Sequence, residues 1–392
     1  MKACIMCGGT GTRLRPLTFD RPKPTIPILN KPSIVHLVDH LASEGFNDIV
    51  ITVGYLGNSI EESLGDGRTY GVHIDYVYDH SKLGTAGSVK NAEEILKDEA
   101  FIILGGDHVL DLDLRELCRF HRQNSAIVTI GLLPIDDPRE YGIADIDVNL
   151  RIHRFLEKPG PGEIFSNLTS TGIYVCSPRI FDWIPENKKY DFAKDLFPDL
   201  LRNNERINGF LVRGKWTDIG NPVAYRQAVR WKLDSLPGTR IAGNFNAIEA
   251  RINGPFIIED KVSLGSNSAV VGPVMIGENT VIGNRVLIGP YTSIGSNCVI
   301  KDKARILSAY LFKDVQIGYN SSISGSIIDN NTTIGKNCIL ESGSVIGPRV
   351  VIRDNVIVQS GVKIWPEVII EEGSLVDEDI LNEKYETETS GS

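Results

Sequence analysis

The chain has 392 residues, 42% of them hydrophobic, which is more than one ordinary core organises and apolar enough to build two. A formal net charge of -9 with no dense Lys/Arg run argues against a nucleic-acid groove, so any bound anion is expected to be small. The six cysteines (Cys4, Cys7, Cys118, Cys176, Cys298, Cys338) are too dispersed for a disulfide framework and read as reduced thiols. Cys4 and Cys7 have CxxC spacing, but the two further ligands of a zinc site are missing.

The opening apolar stretch Ala3–Cys7 is far too short for a membrane span and lacks a secretory h-region. A cytoplasmic protein that does not engage a membrane is expected. Residues 2–7 and 48–53 read as strands. Between them Ile34, Leu37, Val38, Leu41 and Ala42 share one helical face, with Pro32 near the start and Gly45 past the end. Residues 72–78, 88–96 and 100–104 continue the alternation, which predicts right-handed βαβ units around a mostly parallel, Rossmann-like sheet. Ligands are expected beyond the carboxyl ends of its strands.

After about Trp231 the pattern changes. Ile, Val or Leu recurs every six residues, often followed by Gly, through Ile276, Ile282, Ile288, Ile294, Ile300 and Ile306, and again from Ile334 through Leu340, Ile346, Ile352, Val358, Ile364 and Ile370. The spacing predicts one flat face of a triangular β-coil per six residues, aliphatic side chain inward, small residue or Asn at the corner. Register slips at Ile317 and Ile323 read as short loops or distorted corners.

Chemistry is expected where Gly8-Gly9-Thr10-Gly11-Thr12-Arg13 follows the first strand. Glycines let backbone N–H groups wrap phosphate oxygens. The loop lacks the third Gly of a dinucleotide fingerprint and any Walker GK[ST]. Its continuation through Arg15 and Arg21-Pro22-Lys23-Pro24 sets cations on proline-stiffened backbone, which suggests a triphosphate. Taken alone, Asp107 and Asp218 would be turn residues and Glu157-Lys158 a solvated pair.

As an ordered set the motifs say more. GGTGTRLRPLT, PKP, Leu83 to Gly87, Gly105-Gly106-Asp107, Tyr141-Gly142, residues 155–159, Thr171-Gly172 and residues 216–220 resemble the sugar-phosphate nucleotidyltransferases, many of which carry a C-terminal left-handed β-helix. The resemblance spans nearly the whole chain and is nearest the mannose-1-phosphate guanylyltransferases. Rivals are the glucose-1-phosphate thymidylyl- or uridylyltransferases and the N-acetylglucosamine-1-phosphate uridylyltransferases. It implies attack of a sugar 1-phosphate on the α-phosphorus of a nucleoside triphosphate.

By that resemblance Arg13 meets the leaving pyrophosphate and Lys23 the α-phosphate. Gly8, Gly9, Gly11 and Thr12 line the phosphate loop, and Gly84, Thr85 and Gly87 border the base. Glu157 accepts sugar hydroxyls, Lys158 binds the sugar phosphate, and Gly142, Thr171 and Gly172 shape the sugar pocket. Asp107 and Asp218 hold Mg2+. The implied division is a nucleotidyltransferase domain over 1–232, a connector over 233–250, a left-handed β-helix over 251–373 and a flexible acidic tail over 374–392. The β-helix is expected to join copies into a homo-oligomer.

Two other readings fit the residues less well. Acyl transfer by the β-helix lacks a general base, because all seven histidines lie at or before His153. A silent regulatory subunit is disfavoured by the joint presence of Arg13, Lys23, Asp107 and Asp218.

Overall fold

A computed structural model describes residues 1–54, 56–247 and 249–386. The chain forms two compact units that interleave along the sequence: one takes residues 1–10, 22–25 and 32–219, the other 11–21, 26–31 and 220 onward.

The first unit is built on a nine-stranded sheet. Ala3–Cys7 lies at its centre and pairs in parallel with Asp48–Val53 on one side and Phe101–Gly105 on the other. The central strands are apolar on both faces, as strands covered by helices must be. His73–Tyr78 extends the parallel part. Leu168–Cys176 then runs antiparallel to Phe101–Gly105 and to Val128–Pro134, so the sheet is mixed. Helix Ser33–Ser43 buries Ile34, Leu37, Val38 and Leu41, the face that the spacing predicts. It ends at Gly45, whose φ of 84° lets Gly45 N–H reach Ala42 O (3.0 Å) and Phe46 N–H reach Leu41 O (2.9 Å).

The second unit is a parallel β-solenoid of three sheets, each with eight strands, about eight turns in all. Phe256 pairs with Val274 and Val274 with Thr292, so three six-residue faces make one 18-residue coil. Ile276, Ile282, Ile288 and the later members of that series are buried in one continuous core. Corners need left-handed backbone, and Asn279, Asn297, Asn337 and Asn355 supply it at φ between 53° and 62°. Inside the corners, Thr280 and Thr332 hydroxyls donate to Gly295 O and Gly347 O.

Of the two readings of the register slips, short loops or distorted corners, the structure shows the second. Inward positions step from Ile306 to Leu311 and from Ile323 to Ile328, so two faces are each one residue short and the coil continues. The short corners sit in successive coils, at Ser308 (φ 50°) and Gly325 (φ 58°). Coiling also starts earlier than residue 251, with Thr239–Ile241 and Phe245–Ala247 already paired to the next coil. Largely exposed, these strands need no aliphatic repeat to mark them. At the other end Leu375–Val376 is the last strand, and Ile380 bridges Ile364. Tyr385 is buried, so the stretch read as a loose tail is ordered at its start. Residues 387–392 lie outside the described residues.

Helix Pro222–Asp234 belongs to this unit. Asn221 caps it, accepting from Val223 and Ala224 N–H, and Tyr225 donates to Pro27 O at 2.7 Å. Arg226 donates to Gly325 O and Ser344 O, both at 3.3 Å.

Candidate active site

Within the α/β unit a small antiparallel pair assembles the acidic side chains. His108–Leu110 pairs with Trp216–Asp218, with His108 directly opposite Asp218. Ile219 N–H donates to Asp107 O at 2.9 Å, closing the pair beside Asp107. Lys23 comes from the turn Lys23–Thr25, held by the Ser33 hydroxyl donating to Pro24 O at 2.9 Å. Its Nζ lies 3.3 Å from Asp107 Oδ2, with side chains 17% and 21% exposed. Lys23 and Asp107 are therefore in contact, with Asp218 on the strand paired to the one that follows Asp107. The site follows the carboxyl end of Phe101–Gly105, where a parallel sheet is expected to present ligands.

Close packing fixes this corner. A Cβ on Gly106 would collide with Cys7 Sγ and lie 3.1 Å from Pro24, so only glycine lets Asp107 turn beside the Lys23 loop. Burial raises the Asp107 carboxyl, but the Lys23 ammonium, by its charge and its hydrogen bond, outweighs it and holds the group below the usual carboxylate value. Asp107 is thus an anion at neutral pH.

His108 escaped the sequence reading, although it directly follows Asp107. It is buried, and its Nδ1 accepts from Gly105 N–H at 3.3 Å. Burial lowers its pKa and Lys23 adds to that, against Asp107 and Asp218, so a neutral ring lies between the carboxylates. Trp216 stacks edge-on against both His108 (5.6 Å) and Tyr141 (5.5 Å). Tyr141 Oη in turn donates to Asp218 Oδ1 at 3.5 Å. Tyr141 and Trp216 lie inside the recognised motifs, but only packing reveals what they hold.

The expected sugar region is partly assembled. Glu157 lies opposite Gly142 across a ladder, and a Cβ there would clash with the Phe155 ring and approach Glu157 Oε2 to 2.8 Å. Burial raises the Glu157 carboxyl; Lys158 and Lys194 oppose this, and Asp191 adds to it. Lys158 is exposed at φ 48°, its N–H donating to Tyr141 O at 3.0 Å. Gly172 sits at φ 69° where the pairing register shifts, and a Cβ would come 3.2 Å from the His108 ring. Thr171 is buried with its hydroxyl donating to Gly131 O, so its side chain serves the sheet.

Gly84 and Gly87 have a packing reason of their own: a Cβ on either would strike the backbone of residues 188–190. Thr85 is tied by N–H and hydroxyl to Asp191 Oδ1, at 3.0 and 3.2 Å. Asp191, a lone carboxylate with no sequence signal, thereby stands next to both the Gly84–Asn91 helix and Glu157. Gly8 and Gly9 are exposed with open space at their Cβ positions. Gly11, Thr12 and Arg13 belong to the solenoid unit, where Gly11 (φ 70°) opens the turn Thr12–Leu14.

Among the described residues no group of three or more His, Cys, Asp or Glu is arranged to hold a metal ion. Asp107 and Asp218 offer two hard oxygen donors, which fits Mg2+ when phosphates and water complete its shell. All six cysteines are free and buried. No helix among the described residues is long and apolar enough to cross a membrane.

Fold and site together define a class: a nucleotide-handling α/β domain of mixed sheet, extended by a hexapeptide solenoid. Similarity to known proteins makes this specific. A nucleotidyl transferase family model matches residues 2–235, and a GMPPB C-terminal domain model matches 270–381. The chain belongs to the nucleotidyl transferase family.

It is 34% identical over 304 residues to the UTP–glucose-1-phosphate uridylyltransferase of Synechocystis, covering 70% of this chain and 78% of that protein. It is 37% identical over 241 residues to the mannose-1-phosphate guanyltransferase of Candida albicans, covering 60% and 66%. With the mannose-1-phosphate guanylyltransferase of Mycobacterium tuberculosis the identity is 33% over 240 residues, covering 60% and 65%. The chain thus spans just under two thirds of the length of the last two. A crystal structure of HddC from Yersinia pseudotuberculosis complexed with GMP-PN superposes with a TM-score of 0.52 at 26% identity, covering 59% of this chain and 99% of that one.

Proposed function

We propose that the chain condenses GTP with mannose 1-phosphate to GDP-mannose and pyrophosphate. The observation that carries the reading is the Lys23 ammonium against the Asp107 carboxylate, with Asp218 on the strand paired beside it, past the carboxyl end of Phe101–Gly105. In this reaction a sugar-phosphate oxygen forms a bond to the α-phosphorus while the bond from that phosphorus to the β-phosphate oxygen breaks, and pyrophosphate leaves. No covalent enzyme intermediate is required, so positioning and charge neutralisation supply the catalysis.

On this reading Lys23 steadies the α-phosphate. Arg13, with the amides of Gly8, Gly9, Gly11 and Thr12, takes the departing pyrophosphate by its place in the motif. Asp107 and Asp218 would hold Mg2+, which neutralises phosphate charge when bound. Glu157 accepts sugar hydroxyls in the space Gly142 leaves. Lys158 meets the sugar phosphate, Gly172 with Thr171 bounds the sugar pocket, and Gly84, Thr85 and Gly87 border the base.

The guanylyl assignment is supported by the GMPPB-type match over the solenoid and by the two mannose-1-phosphate relatives. The Synechocystis relative, matched over more of this chain, favours UTP with glucose 1-phosphate as the second reading. Pyrophosphate release across a panel of nucleoside triphosphates and sugar 1-phosphates separates them. Preference for UTP and glucose 1-phosphate would replace the first reading, and no release from any pair would leave a silent subunit.

The same reading places the enzyme in the cytoplasm as a homo-oligomer joined through the solenoid. Support comes from exposed Ile339, Ile357 and Leu375 stacked in one ladder. A monomer in sedimentation velocity would remove that part.

A further inference from the structure

On one face of the solenoid three residues that follow an inward aliphatic hold the same loop. Along that face the residue after the inward aliphatic is Ala242, Glu259, Gly277, Gly295, Phe312, Asp329, Gly347 and Trp365 in coil order, and it is Phe312, Asp329 and Trp365 that meet the loop. Asp329 is fully buried and its Oδ1 accepts from Arg21 Nη2 at 2.7 Å. The Arg21 guanidinium also lies 5.6 Å from the Phe312 ring. Trp365 packs against Phe19 at 4.8 Å, and Tyr385 takes another side of that ring at 5.0 Å. Arg349 adds a rim contact, with Nη2 lying 2.7 Å from Asp20 Oδ2. A buried carboxylate is costly unless paired, and Asp329 Oδ2 has no hydrogen-bond partner among the described residues, so this position is poor for the solenoid's own stability.

The loop so held is internally closed. Leu14 N–H donates to Gly11 O at 2.9 Å, and the buried Thr18 hydroxyl donates to the same oxygen at 2.8 Å. Arg15 covers the Phe19 ring at 4.7 Å. A shift of Phe19, Asp20 or Arg21 would therefore carry Gly11, Thr12 and Arg13 with it.

We infer that Asp329 and Arg349 are positioning residues for nucleotide binding: through Arg21 and Asp20 they brace the loop that carries Gly11, Thr12 and Arg13 onto the solenoid. This rests on the reading of that loop as the triphosphate binder. Preorganising a loop lowers the ordering cost of binding, so slackening it weakens the ligand that the loop meets and leaves the other substrate alone. The solenoid then serves catalysis without contacting substrate.

The test is steady-state kinetics on the full chain with Asp329→Asn and Arg349→Gln, alongside Arg13→Ala and the double variant Arg13→Ala/Asp329→Asn. The expected result is a KM for the nucleoside triphosphate raised about tenfold in each brace variant, with the sugar-phosphate KM within about twofold. In the double variant Asp329→Asn should add less than about twofold to the effect of Arg13→Ala, because it acts through that loop. An unchanged nucleotide KM, or equal rises for both substrates, overturns the inference. Should Asp329→Asn not fold, Arg349→Gln decides alone, its partly exposed side chain being separable from the core. If Arg13→Ala leaves the nucleotide KM unchanged, the triphosphate reading of the loop fails instead, whatever the brace variants do.

Discussion

In the α/β unit the informative side chains are irregular and mutually dependent: Lys23, Asp107 with His108, and Asp218 come from three separate segments, and the charge on one shifts the titration of another. In the solenoid unit the informative feature is repetition, with aliphatics stacked inward and Asn at left-handed corners. The first arrangement concentrates titratable groups where a reaction needs them. The second keeps most polar groups at the surface or bonded to the next coil, and it becomes irregular where Phe312, Asp329 and Trp365 meet the loop of residues 19–21. Deviation from a repeat is thus as informative as the repeat.

The comparison predicts that chemistry and stability separate in the α/β unit. Asp218→Asn should lower turnover by about 100- to 1,000-fold, the scale of losing one preorganised electrostatic group. Stability should move by no more than about 1 kcal/mol, since Asp218 lies half-buried at a strand end. Pyrophosphate release and urea midpoints measure the two, and proportionate losses in both would erase the distinction.

A smaller effect concerns pH. His121 is buried with Nδ1 2.8 Å from Thr129 Oγ1, and burial, aided by Arg122, lowers its pKa to about 4. Unfolded, it titrates near 6.5, so between those values the unfolded chain binds a proton the folded one refuses, and stability falls as pH drops. From pH 7 to 5 this amounts to about 2 kcal/mol. The solenoid has no histidine and lacks this dependence. Urea unfolding of wild type and His121→Gln at both pH values should show the variant losing about 2 kcal/mol less; equal losses would assign the acid sensitivity elsewhere.

What the sequence made legible follows the same division. The inward series could be counted directly because each solenoid face repeats the same local demand, and Lys23, Asp107 and Asp218 stood in motifs that resemblance could order. His108 and Asp191 could not be read, since their roles arise from what lies across a ladder or beside a helix and leave no local pattern. The slips at Ile317 and Ile323 are legible in the sequence only as loops or distorted corners, because deleting one residue from a face and inserting a loop disturb a period alike; the structure shows shortened corners. Membership of residues 11–21 in the solenoid unit was hidden too, as Asp329 looks like a flaw until Arg21 is found against it.

The smallest prediction separates two reasons for Asn at the corners. Asn337 holds φ 53°, and it also forms a ladder, accepting from Asn320 Nδ2 at 3.0 Å and donating from its own Nδ2 to Asn355 Oδ1 at 3.1 Å. Alanine removes the ladder and strains the backbone, whereas glycine removes the ladder but tolerates the angle. If backbone conformation dominates, Asn337→Ala should cost about 1 kcal/mol and Asn337→Gly about half of that, by urea unfolding, with turnover unchanged in both. If glycine costs as much as alanine, the side-chain ladder is what selects Asn. In that case the corners would cohere from coil to coil, and substituting two stacked positions should cost less than the sum of the single changes.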